Sequence, residues 1–140
     1  MPVAVEIAAS PLTDALAAEL LRVYVDYPAF TSAEAALAVL EEAVAAGDTL
    51  YTGVFNNRHI AAALVRGAGE TRHMRYLSVH AATRGRGVAE RLVAEVRRLE
   101  AERGTAWLEA EFDLTLEGVP EMLLAMGFIP HGTGNYRCRL

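Results

Sequence analysis

The run Leu77-Ser78-Val79-His80-Ala81-Ala82-Thr83-Arg84-Gly85-Arg86-Gly87-Val88-Ala89 holds the residues whose types and spacing point most directly to chemistry. Gly85 and Gly87 let the main chain take positive φ and come close to a ligand. Arg84 and Arg86 flank them with positive charge. Behind them Val88, Leu92, Val93, Val96 and Leu99 recur at helical spacing, so the glycines stand where a helix begins. The first amides of a helix have no partners within it, and the dipole there favours an anion. The chemistry implied is the holding of a phosphate by main-chain N–H groups. Two glycines ahead of a helix also serve as a plain structural turn, and that reading stays open at this point.

Such a loop needs a strand on one side and a helix on the other. Tyr76 to Val79 favours β structure, with Leu77 and Val79 on one face; the spacing predicts a strand over Thr71 to His80 and a helix over Val88 to Arg103, closed by Gly104. Upstream, Val3, Val5 and Ile7 alternate as a first strand. Ser10-Pro11 reads as a helix start, with Ser10 as cap and Pro11 at the first helical position. Leu12, Leu16, Leu20 and Val23 form its stripe, ending near Tyr27-Pro28. Thr31 with Glu34 reads as a capping box for a second helix carrying Leu37, Leu40 and Val44, which stops at Gly47. Thr49 to Phe55 and His59 to Arg66 are strands joined at Asn56-Asn57, and Gly67-Ala68-Gly69 turns into the strand before the loop. These consecutive hairpins predict an antiparallel meander. Ala106 to Phe112, reached through a helix, should run parallel to its predecessor. Val119 to Met126 is a short helix ending at Gly127, followed by strands Phe128 to Pro130 and Tyr136 to Leu140. The expected fold is α/β of the α+β kind. Its mixed, mostly antiparallel sheet has six to seven strands, a central parallel pair and about four flanking helices, in a single domain over residues 1–140.

Composition narrows the function. The chain has 140 residues, 53% hydrophobic, with a net charge of −5, which argues against nucleic acid as a partner. Cys138 is the only cysteine, so no intrachain disulfide can form; it reads as a small apolar residue of the last strand. There is no basic region followed by an apolar run at the N-terminus, and no apolar run of the ~18 residues that span a bilayer. The expectation is a cytoplasmic protein with no membrane partner. The four histidines are scattered and no carboxylates stand at ligand spacing, so no metal is expected. Arg97, Arg98 and Arg103 read as a solvated helix face.

Arg84-x-x-Gly87-x-Ala89, a few residues beyond Leu77-x-Val79, resembles the acetyl-CoA loop of the GCN5-related N-acetyltransferases, the GNAT superfamily. The resemblance implies the GNAT fold, in which the parallel strands splay and the pantetheine arm of acetyl-CoA lies in the gap. It implies acetyl-CoA as co-substrate or ligand, contacted by Leu77, Val79, Arg84, Gly85, Arg86, Gly87, Val88 and Ala89. Arg84, Arg86 and Arg91 would supply charge to the phosphates. The Val79 amide would polarise the thioester carbonyl. Glu111 stands where many family members carry an acidic residue, and as a partly desolvated carboxylate it would accept the amine's proton. Glu109, His73 and His80 are alternatives; each of these also reads as a surface or structural residue. Family transferases commonly carry Asn-x-x-Ala-x-x-x-Tyr-x-x-x-Gly-Phe, whose tyrosine protonates the leaving thiolate. Here Gly127-Phe128 is kept, but Leu123 takes the tyrosine position and Leu116 the asparagine position. Leucine has no proton to give, which leaves Tyr136 or Tyr76 as substitutes. Tyr24, Tyr27 and Phe30 line an acceptor pocket or belong to the core.

A narrower resemblance lies in Leu50-Tyr51-Thr52-Gly53-Val54-Phe55-Asn56-Asn57-Arg58 with Ala61-Ala62, joined by Arg86-Gly87-Val88 and Met126-Gly127-Phe128. It is similar to acetyl-CoA sensors of the PanZ type. Those GNAT-fold proteins promote self-cleavage of an aspartate decarboxylase precursor and also lack the tyrosine. The resemblance implies a partner surface at Phe55, Asn56, Asn57 and Arg58, which otherwise form an ordinary exposed turn. Two functions therefore stand: an N-acetyltransferase acting on an amine by direct attack, and a non-catalytic sensor that binds a protein partner. Monomer and homodimer fit both.

Overall fold

Seven extended segments pair into one sheet in the computed structural model, which describes residues 2–112 and 118–140. The strands are β1 (Ala4–Ile7), β2 (Thr49–Phe55), β3 (Arg58–Arg66), β4 (Thr71–Val79), β5 (Trp107–Glu111), β6 (Ile129–Pro130) and β7 (Asn135–Arg139). Their order across the sheet is β1-β2-β3-β4-β5-β7-β6. The β4–β5 pair is parallel and the other neighbours are antiparallel. Four α-helices, α1 (Asp14–Val23), α2 (Ala33–Ala45), α3 (Val88–Glu102) and α4 (Val119–Ala125), complete the described residues. This is the expected mixed sheet with a central parallel pair.

Helices cover one face of the sheet and the β2–β3 part of the other. Leu92, Val93 and Val96 of α3, with Leu123 of α4 and Phe128, pack on Ala61, Ala63, Met74, Leu77, Leu108 and Cys138. Leu16, Leu20, Val23, Leu40 and Val44 of α1 and α2 cover Leu50, Ala62 and Leu64. Each such leucine or valine contributes about 1.5–3 kcal/mol by leaving water. Cys138 is buried, as expected of it.

Two helix starts differ from the sequence reading. Ser10-Pro11 does not open α1; Thr13 caps it, its side chain accepting from Leu16 N at 3.1 Å, with Asp14 in the first turn. That pair satisfies a free amide and complements the dipole, and neither needs Pro11. The helix also ends at Val23, short of Tyr27-Pro28. In α2 the cap is Ser32, whose Oγ accepts from Ala35 N at 3.0 Å, so the Thr31–Glu34 box does not form.

Two irregularities shape the middle of the sheet. In β4 the pairing with β3 shifts between Ala62 and Leu64, and Tyr76 adopts φ 57°. This bulge switches the strand's parity: Met74 faces α3 before it, and Leu77 and Val79 face α3 after it. The β4–β5 register runs from Thr71↔Trp107 to Met74↔Ala110 and goes no further. Beyond Met74 and Ala110 the two central strands are no longer paired, which is where the resemblance implied a splay.

A buried ionic cluster anchors the far end of α3. Glu100, 0% exposed, accepts from Tyr51 Oη at 2.5 Å and Thr105 Oγ1 at 2.8 Å, and its Oε1 lies 3.0 Å from Arg72 Nε. Arg72 also donates to Thr49 Oγ1 and to the carbonyls of Val65 and Gly67. The arginines of α3 are not one solvated face. Arg98 is exposed and pairs with Glu95 and Glu102, but Arg97 donates to Met126 O at 2.6 Å and lies over the Phe128 ring.

Candidate functional site

Where β4 and β5 part, a cleft of about 570 Å³ opens between the second half of β4, the loop before α3 and the start of α4. Leu77, Val79, Arg84, Gly85, Gly87, Val88 and Ala89 line it. Of the residues expected to hold a cofactor, Arg86 and Arg91 are not among the lining; both are exposed. Thr83, Glu90, Gly118, Val119 and Met122 complete the wall. No motif in the sequence marks Gly118, Val119 and Met122, because α4 meets the cleft only through the tertiary fold.

The loop's shape follows from its sequence. After Val79 a single 3₁₀ turn, Ala81–Thr83, is capped by His80, whose Nδ1 accepts from Ala82 N at 3.1 Å. Gly85 and Gly87 then adopt φ 78° and 77°, and a Cβ on either would meet nothing within 4 Å. Glycine is required there by backbone conformation, with open space beside it. Gly87 is the N-cap of α3 and brings no side-chain cap, so the first amides of the helix are left for an anion.

Val79 contributes its backbone. His80 N donates to Ile60 O at 2.7 Å, and antiparallel alternation then turns the N–H and C=O of Val79 away from β3, toward the gap. The carbonyl accepts from Arg84 Nε at 2.9 Å. The two terminal nitrogens of Arg84 donate to Asp26 at 2.8 and 2.7 Å. The hydrogen bond from Arg84 holds the Asp26 carboxyl below its usual range. The Arg84 guanidinium is thus engaged by protein groups on all three nitrogens, whereas the sequence reading sent it to a phosphate.

The candidate proton carriers lie outside the cleft lining. Glu111 Oε2 is 3.0 Å from Arg75 Nε and the side chain is 44% exposed, so it is not the desolvated carboxylate expected. Glu109 stands beside His73 and Arg137 in register. Desolvation lowers the His73 pKa, against the pull of Glu111 and Glu109. His80 serves as the cap of the 3₁₀ turn. Leu123 is 1% exposed in the core, and Leu116 lies outside the described residues. Tyr76 packs against Phe30 and Tyr136 against Phe112, and neither lines the cleft. Tyr24 and Tyr27 are buried with Phe30 in one aromatic cluster.

At the β2–β3 turn Asn56 and Asn57 take φ 51° and 62°, and both are exposed with Arg58, while Phe55 packs on the core. A second cavity of about 190 Å³ runs from Arg58, His59 and Ile60 to Glu19 and Arg22 on one side and His80, Ala82 and Thr83 on the other. Thr83 lines both cavities, so the hairpin and the glycine loop are neighbours. Among the described residues no group of three His, Cys, Asp or Glu could hold a metal ion, and no helix is long and apolar enough to cross a membrane.

Residues 11–137 match the family described as Acetyltransferase (GNAT) domain, PanZ. The chain belongs to this family. Solved structures agree on the fold. A GNAT-family protein from Desulfovibrio desulfuricans superposes with a TM-score of 0.78 at 19% identity, covering 99% of both chains. A ribosomal-protein-alanine N-acetyltransferase from Brucella melitensis gives 0.73 at 17%, covering 96% of this chain and 99% of the other. A GNAT acetyltransferase from Elizabethkingia anophelis, solved with acetyl-CoA bound, gives 0.72 at 13%, covering 99% and 98%. No curated protein matches the sequence.

As a PanZ-family GNAT domain, the chain presents an uncapped helix start, a main-chain N–H turned away from β3 at a residue that lines the cleft, and a partly exposed carboxylate on the sheet face away from α3. The first can hold an anion, the second can polarise a carbonyl, and the third can accept a proton.

Proposed function

We propose that this domain binds acetyl-CoA in the cleft and transfers the acetyl group to an amine by direct attack. The observation that carries the reading is the start of α3. Two glycines at positive φ and a helix without a side-chain cap open on a cleft of about 570 Å³. Gly85 to Ala89 would cradle the pyrophosphate with main-chain amides. Bound acetyl-CoA supplies an activated acetyl thioester. The Val79 N–H would donate to the thioester carbonyl, and Leu77 and Val79 would wall the pantetheine arm. Glu111, paired with Arg75, would take the amine's proton. The thiolate would leave without a protein acid, since Leu123 is packed in the core.

A second reading, an acetyl-CoA sensor that binds a protein partner, is favoured by the same leucine and by the hairpin. Phe55, Asn56, Asn57 and Arg58 would form the partner surface, and the cavity that Arg58 shares with His80, Ala82 and Thr83, just ahead of the glycines, would let a partner read the loop's state.

Calorimetry with acetyl-CoA tests the shared claim. A thiol-release assay over amines and polyamines, beside an acetyl-CoA-dependent pull-down from cell extract, separates the two readings. Transfer predicts that Glu111→Gln lowers turnover by about 10²–10⁴-fold with binding little changed. Sensing predicts no thiol release from any amine, and a partner lost on Asn56→Ala with acetyl-CoA affinity intact.

A further inference from the structure

The C-terminal turn of α1 grips the bulged half of β4. Tyr24 Oη donates to the carbonyl of Tyr76 at 2.6 Å. Ser78 Oγ donates to the carbonyl of Val23 at 2.8 Å. Asp26 takes both terminal nitrogens of Arg84, whose Nε holds the carbonyl of Val79. Tyr24 is 1% exposed, so its hydroxyl is shut away from water on this one acceptor. Burial, with Tyr27 and Tyr76 adding to it, pushes its pKa well up, so it remains a donor at any working pH.

These contacts fall on the two atoms that set the strand's phase. A tyrosine at φ 57° persists only where its surroundings hold it. The extra residue there decides whether the Val79 N–H faces β3 or the gap. The Val79 carbonyl lies on the same edge as that N–H, and Arg84 fixes it.

We propose that Tyr24 and Asp26 are positioning residues for the thioester. Tyr24 acts through the Tyr76 carbonyl and Asp26 through Arg84, and together they hold the Val79 N–H toward the acetyl carbonyl; the Arg84 guanidinium serves this purpose and not phosphate binding. The proposal rests on the acetyl-CoA reading above.

Acetyl-CoA and coenzyme A differ only in the acetyl group, so their affinity ratio isolates the Val79 contact. A residue that merely stabilises the fold moves both affinities together, and a phosphate ligand does so with a salt dependence. The experiment is calorimetry with both ligands at low and high salt for wild type, Tyr24→Phe, Asp26→Asn and Asp26→Glu, with the ¹⁵N-labelled Val79 amide followed by NMR. Tyr24→Phe and Asp26→Asn should weaken acetyl-CoA by about three- to tenfold, the scale of one hydrogen bond, and leave coenzyme A within about twofold. Asp26→Glu should recover part of the loss. The Val79 amide should shift with acetyl-CoA and not with coenzyme A, and lose that difference in Tyr24→Phe.

Equal losses for the two ligands would overturn the proposal. So would tighter, more salt-sensitive binding of both in Asp26→Asn, which would make Arg84 a phosphate ligand. Should Tyr24→Phe fail to fold, the two Asp26 variants carry the same comparison on a half-exposed carboxylate. A wild type that binds neither ligand overturns the acetyl-CoA reading itself; one that binds both with a silent Val79 amide overturns this inference alone.

Discussion

Gly87 caps α3 at φ 77° with open space where a Cβ would point. A glutamate there has two effects of different size. The backbone conformation costs a side chain about 1 kcal/mol, which the domain can tolerate. The carboxylate, set against a pyrophosphate, should abolish acetyl-CoA binding. Gly87→Glu is therefore expected to melt as a folded protein and show no calorimetric heat with acetyl-CoA; unchanged affinity would refute the loop's assignment. His73 makes a prediction in pH. Desolvation lowers its pKa from 6.5 in the folded state. The unfolded chain thus takes up the proton first. Stability from neutral His73 is present above about pH 6.5 and is lost as pH falls below it, down to the folded-state pKa. His73→Gln should flatten the stability profile between pH 8 and 5, measured as urea midpoints; an identical profile would exclude the effect. Some residues were legible from type alone. Leu123 has no proton to give in any fold, and Gly85 and Gly87 do take positive φ. Arg84 was not legible, because its partner Asp26 lies 58 residues away and nothing local announces the pair.

At the scale of elements, the network around Glu100 fastens α3 to β2 and β4. Its carboxylate is buried and satisfied by Arg72, Tyr51 and Thr105. Glu100→Ala would leave the Arg72 guanidinium buried without its counter-charge, a change that typically costs 3–5 kcal/mol. The expected result is an unfolding free energy lowered by that amount, read from urea denaturation as the midpoint times the slope. Arg72→Met combined with Glu100→Leu should lose much less, because both charges leave together. A single substitution that costs under about 1 kcal/mol would show the pair to be incidental. The strands of the meander and α3 were readable because their periodicity is strong and their ends carry Gly or Asn. The start of α1 was misread because Ser10-Pro11 satisfies every local rule for a cap, while Thr13 has the hydroxyl that reaches a helix amide. The bulge at Tyr76 had no local sign at all. Aromatic residues avoid positive φ, so the conformation is imposed from α1, by contacts no window of sequence contains.

On the scale of the whole molecule, the sheet is two systems joined at one seam. From β2 to β4 neighbours in space are neighbours along the chain, linked by the Asn56-Asn57 turn and the Gly67 to Glu70 turn. Past the seam, β5, β7 and β6 arrive only after α3 has crossed over. The general architecture was legible for this reason, since hairpins and one crossover admit few topologies. The cleft's far wall was not, since Gly118, Val119 and Met122 come to it by the packing of α4. The seam has a meaning in time as well as in space. Short-range pairings tend to form before long-range ones, so the meander should assemble in the transition state and the divergent pair should close afterwards. A ligand lodged in the gap then grips contacts that form late. Acetyl-CoA should slow unfolding and leave the folding rate nearly untouched, displacing one arm of a chevron plot and not the other.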